Sequence, residues 1–153
     1  MHTRLTAGDA RETLSAHVAA KGLELREKYG PEIGWDQLQQ ILLDRACVRY
    51  PCKVVFDSSP LLPGEFAHPI PYGSHPEEGF TLYVHPIYLR QREQVSFLVL
   101  YQLVLVNYGE FAAPEDAEIF GASDLGLSRE EYYARVCQMA DELGAGVACG
   151  RPD

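Results

Sequence analysis

The chain has 153 residues, 46% of them hydrophobic, and its 22 acidic against 13 basic side chains give a formal net charge of -9. This length suits one packed domain over 1–153, and a negative balance with scattered basic residues excludes nucleic acid as an expected partner. The apolar runs fall short of the roughly 18 residues that cross a bilayer, and residues 1–9 lack the apolar centre of a signal peptide. A cytoplasmic protein without a membrane partner is therefore expected.

Between Asp9 and Lys28, Leu14, Val18, Leu23 and Leu25 recur at roughly helical spacing among charged and small residues, with Thr6 or Asp9 as candidate caps. Tyr29-Gly30-Pro31 stops this helix, because Gly tolerates a left-handed end and Pro cannot continue the hydrogen-bond ladder. A second helix from Trp35-Asp36 places Leu38, Ile41, Leu42 and Ala46 on one side, and the two form an N-terminal helical hairpin.

From Pro51 the period changes. Lys53-Val54-Val55-Phe56 is short, β-branched and aromatic, and it ends in the turn formers Asp57-Ser58-Ser59-Pro60. Pro63, Pro69, Pro71 and Pro76 then argue against a central strand, leaving at most an edge strand at Glu65-Phe66-Ala67. Phe80-Thr81-Leu82-Tyr83-Val84 reads as the next strand, closed by His85-Pro86.

The stretch from Arg92 to Tyr108 carries β-branched valines but is too long for a typical strand, so it predicts a helix buried on most sides and stopped by Gly109. Pro114-Glu115-Asp116 has the chemistry of a helix first turn, with the helix running to about Gly121. Ser128 and Glu131 form a capping box for a last helix from Arg129 to Leu143, which buries Tyr132, Val136, Met139 and Leu143. Gly144 ends it, and 145–153 is expected to be a loose tail. Together these elements predict an α+β domain, a small mixed or antiparallel sheet packed on a buried central helix, with the N-terminal hairpin and C-terminal helices around it.

Tyr101 and Leu105 stand four residues apart on the central helix, with Gln102 beside the first. In an HExxH helix that spacing lets two histidines reach one zinc ion while the intervening Glu polarises its water. Leu100 to Gly109, the downstream Glu115-Asp116-Ala117-Glu118-Ile119-Phe120-Gly121-Ala122, and the preceding strand, Gly64-Glu65-Phe66 and strand resemble the minimal zincin metallopeptidases over Pro51 to Ala122. The resemblance implies a first ligand at Tyr101, a general base at Gln102, a second ligand at Leu105 and a third at Asp116 or Glu118. Leu105 offers a metal no donor and neutral Gln102 accepts no proton, so family-type hydrolysis is not expected. The implied function is a non-catalytic zincin-like domain, without cofactor, that binds another protein or completes an assembly. In it Tyr101, Gln102 and Asp116 or Glu118 are joined by hydrogen bonds across the former metal site.

Two alternatives come from other residues. His68, His75 and His85, with Glu65, Glu77 or Glu78, would make a zinc-dependent hydrolase if the Pro-rich loop gathered them, although the Pro after each also fits structured turns. Cys47 and Cys52, which flank Val48-Arg49-Tyr50-Pro51, would make a thiol-based regulator if a turn joined them and one thiol had a lowered pKa. Cys137 and Cys149 complete the set in no recognised metal spacing. His2 and His17 read as a terminal residue and an exposed helix face.

Overall fold

A computed structural model describes residues 7–148. Helix α1 spans Ala7–Tyr29 and α2 spans Trp35–Leu43; Thr6, the side chain of Asp9 and His2 lie outside the described residues. The ends of the two helices are tied through Asp44, which accepts hydrogen bonds from Lys28 Nζ (2.5 Å), the Tyr29 hydroxyl (2.6 Å) and the Ala46 amide (2.9 Å). The Lys28 and Tyr29 donors hold the Asp44 carboxyl well below the usual carboxylate range. The helix pair is thus present, but α1 lies chiefly along α4 (Pro114–Leu125) and only lightly against α2. Glycine permits this: a Cβ on Gly22 would stand 2.5 Å from Ser123 Cβ and 2.9 Å from the Phe120 carbonyl oxygen.

Strands β1 (Cys52–Phe56), β2 (Ala67–Pro71) and β3 (Phe80–Val84) form a mixed sheet in the order β1-β3-β2, with β3 parallel to β1 and antiparallel to β2. The first and third match the expected strands. The second corrects the expectation of Glu65-Phe66-Ala67, because it begins at Ala67 and runs through two prolines. His85 donates its amide to the Phe66 carbonyl and Tyr72 donates to Gly79, so Pro69 and Pro71, opposite Leu82 and Phe80, occupy the alternate, non-hydrogen-bonded positions. There the missing N–H would have faced outward, and an edge strand tolerates that.

After β3, His85 Nδ1 accepts the Ile87 amide at 3.1 Å and starts a 3-10 segment, Pro86–Gln94, broken by a non-helical Gln91. The central helix α3 therefore begins at Val95 and ends at Tyr108, three residues later than the sequence suggests. Its burial is as expected. Val95, Leu98, Val99, Leu100 and Leu103 are fully buried, each such side chain contributing about 1.5–3 kcal/mol. Ser96, equally buried, donates its hydroxyl to the Ile33 carbonyl at 2.7 Å.

Helix α4 continues past Gly121 to Leu125 and ends at Gly126 in the left-handed conformation (φ 69, ψ 32). Gly121 is no stop but a contact, since a Cβ there would lie 2.2 Å from the Tyr132 ring. The Ser128 capping box forms: Glu131 N donates to Ser128 Oγ (3.1 Å) and Ser128 N to Glu131 Oε1 (2.9 Å). Helix α5, Arg129–Ala148, passes through Gly144, so 145–148 is helical rather than a loose tail, and 149–153, with Cys149, lies outside the described residues. A helical Gly costs only about 1 kcal/mol relative to Ala, too little to end a helix without further signals. No described helix is long and apolar enough to cross a membrane.

Candidate functional site

On α3 the half-buried Phe97, Tyr101, Leu105 and Tyr108 are three or four residues apart and hence on one face, while the also half-buried Asn107 donates its side-chain amide to the Cys47 carbonyl. This face carries the positions the zincin resemblance assigns to ligands. Phe66, from the loop before β2, meets Tyr101 edge-on with ring centroids 6.4 Å apart. Burial pushes the Tyr101 hydroxyl above its ordinary pKa, and the negative charge of Glu118 pushes it further in the same direction. Tyr101 and Glu118 thus share a neighbourhood, together with Tyr133 and Cys137 of α5.

The other two residues turn inward. Gln102 is 5% exposed and its Oε1 has no hydrogen-bond partner. Asp116 is fully buried on the α1 side of α4, where its carboxylate accepts the Ser15 hydroxyl (2.9 Å) and the Ala113 amide (2.8 Å). As the third residue of the helix, Asp116 reaches back over the first turn in the capping-box manner and ties α4 to α1. Glu118 accepts a hydrogen bond from Arg129 Nε at 2.9 Å and pairs α4 with the start of α5. The expected hydrogen-bonded constellation across one cleft is therefore corrected: the two candidate acids face opposite ways, each with its own partner.

The histidines do not converge. His68, half-exposed on β2, pairs with Glu65 through Nδ1 at 3.5 Å. His75 starts a 3-10 turn, Pro76–Glu78, and its amide donates to Glu78 Oε2 at 3.0 Å. His85 uses Nδ1 to accept the Ile87 amide. Among the described residues, no group of three or more His, Cys, Asp or Glu side chains is placed to hold a metal ion. His17, exposed on α1, stacks edge-on against Tyr108 at 5.6 Å.

Cys47, Cys52 and Cys137 are free thiols. Burial pushes the Cys47 pKa up to about 11, helped by the Asp44 charge, and the Cys52 pKa up to about 12. Both shifts run against thiolate formation, the reverse of what a thiol-based regulator uses. Alkylation by iodoacetamide at pH 8 should accordingly be slow at Cys47 and Cys52 in the folded protein and become rapid only in denaturant, as peptide mass mapping would show.

A further pairing was hidden in the sequence. The parallel register of β1 and β3 sets the chain after Phe56 beside the chain after Val84, so Ser58 and His85 come to one cavity of about 350 Å³. The chain from Leu61 to Glu65, with Leu143 and Gly144, completes its walls. A parallel pairing between distant strands is the only signal that could have linked the two residues. No protein-family model, curated protein or solved structure matches this chain.

Proposed function

We propose that this domain is non-catalytic and acts by binding another protein through the half-exposed face of α3, on a scaffold of zincin-like shape. The observation that carries the reading is the character of that face. Where the resemblance assigns metal ligands, it presents an aromatic ring, Tyr101, packed beside Phe66, and a half-buried leucine, Leu105, one turn further on. Aromatic and aliphatic anchors of this kind supply contact energy at protein interfaces, whereas Phe66 and Leu105 have no donor atom for a metal and burial keeps the Tyr101 hydroxyl protonated, away from the phenolate that would ligate one or take a proton. The buried Gln102 amide and the paired Glu118 and Asp116 carboxylates supply no free general base.

A photo-crosslinking residue at position 101 tests the binding role directly. It should yield one saturable adduct in extracts of the native cell, lost when Leu105→Asp is added and not reproduced from the exposed Tyr72, at the end of β2 away from Phe66. Equal adducts from positions 101 and 72 would overturn the reading.

The shape is tested separately by Tyr101→His with Leu105→His, which puts two imidazoles on one helix face four residues apart. Arg129→Ala in the same protein releases Glu118 as a third ligand. Gln102 is left alone, since a carboxylate at so buried a position would strain the fold. Stoichiometric zinc binding by the triple variant is the expected result, and a folded variant without zinc affinity would remove the zincin-like geometry from the proposal.

A further inference from the structure

The cavity at the carboxyl ends of the parallel strands β1 and β3 has the make-up of a small-molecule site. It holds about 350 Å³, within the usual range of ligand pockets, and it lies beyond the carboxyl ends of the parallel pair, the end at which open α/β sheets bind ligands. Its walls are mostly apolar, Leu61, Leu62, Pro63 and Leu143, with Ser58, Glu65 and His85 as polar groups. Leu62 is 69% exposed although it lines the cavity, and nothing lies within 4 Å of the position a Cβ would take on Gly144. One apolar wall is therefore uncovered and one side is open.

The polar groups decide what the cavity takes. Ser, His and Glu together suggest a hydrolytic set, but the hydrogen bonding does not allow it. His85 Nδ1 accepts the Ile87 amide, so the neutral ring carries its proton on Nε2 and has no free lone pair for the Ser58 hydroxyl proton. Glu65 does not orient His85: its Oε1 accepts the Leu62 amide at 2.7 Å and its Oε2 lies 3.5 Å from His68. What remains to the ligand is an Nε2–H donor and a hydroxyl at the end of an apolar chamber, beside a carboxylate that repels anions.

We infer that this cavity binds a small molecule with an apolar chain and an uncharged hydrogen-bond acceptor, such as an amide or ester carbonyl, which receives the His85 Nε2–H while the chain lies against Leu61, Leu62 and Leu143. The site uses no α3 residue and stands independently of the proposed protein-binding face.

N-methylhexanamide is the probe, titrated into the full chain and followed by calorimetry and by the imidazole nitrogen resonances of His85. Saturable binding with a shift at Nε2 is expected, with hexanoate at least tenfold weaker because its charge meets Glu65. Gly144→Leu, which grows into open space, should weaken the amide at least tenfold with the far-ultraviolet circular dichroism unchanged. His85→Phe should weaken it likewise. No saturable binding up to the solubility limit, hexanoate binding as tightly as the amide, or an affinity indifferent to Gly144→Leu would each overturn the inference.

Discussion

Asp124→Asn is expected to make the protein more stable at pH 7, by on the order of 2 kcal/mol, or several degrees in Tm. Asp124 is fully buried on α4 and neither carboxylate oxygen has a hydrogen-bond partner. It sits where Gly22 of α1 lies against α4, with Oδ1 3.0 Å from the place a Cβ would occupy on Gly22. Desolvation alone pushes its pKa well above the ordinary 3.8, because a bare carboxylate loses its hydration there and gains nothing in return.

The folded protein therefore holds the Asp124 proton more tightly than the unfolded chain does. Its contribution is fully present below the unfolded value near 3.8 and declines as pH rises toward the folded value. Asparagine does not titrate, so the advantage of the variant should grow with pH over that window and then level off. Urea melts at pH 4, 5.5, 7 and 8.5 measure this directly. If wild type and variant lose stability in parallel across the series, the carboxyl is not the buried, unpartnered group described.

Gly121→Ala should be destabilising by about 2 kcal/mol, the upper end of the about 1–3 kcal/mol that overpacking costs less about 1 kcal/mol gained in helix propensity. The added methyl would meet Tyr132 at 2.2 Å from Cζ and 2.6 Å from Cε1. The ring has little freedom to retreat, being fully buried, stacked on Phe97 at 6.0 Å and anchored by its hydroxyl donating to the Phe97 carbonyl. In a Tyr132→Leu background the same Gly121→Ala change should cost much less, and chemical denaturation of the four proteins of this cycle gives the coupling. Gly144→Ala is the matched control: with open space around it, it should stabilise by about 0.5–1 kcal/mol. A Gly121→Ala protein as stable as wild type would mean that α4 and α5 do not meet as closely as described.

The elements that could be read from the sequence are those whose cause is local. The length of the apolar stretch ending at Tyr108 outweighed its valines, and α3 is indeed a buried helix. Ser128 and Glu131 lie three residues apart and cap each other as that spacing predicts. What stayed hidden depends on partners distant in sequence. Pro69 and Pro71 read as strand breakers because only their register against Leu82 and Phe80 shows their nitrogens facing away from the sheet. Gly121 and Gly144 look alike as helix stops, yet one is a tight contact and the other is open.

The candidate site divides in the same way. The shared face of Tyr101 and Leu105 follows from helical periodicity and was legible. That Asp116 turns to Ser15 while Glu118 turns to Arg129 depends on how α4 is wedged between α1 and α5. A spacing of two residues puts them on different sides of a helix, but does not say which side meets α3. The unpartnered Asp124 gave no signal at all, since an acid late in a helix ordinarily faces water.

The border of the sheet at β2 limits how any partner can engage it. Of its three outward positions only Ala67 keeps an amide hydrogen, so an extended peptide laid alongside would find a row of acceptors and almost no donors. Growth of the sheet from this side by a foreign strand or by another copy of the chain is therefore disfavoured, which guards against fibrillar association at high concentration. Recognition on this flank must rely on side-chain shape rather than on shared main-chain ladders.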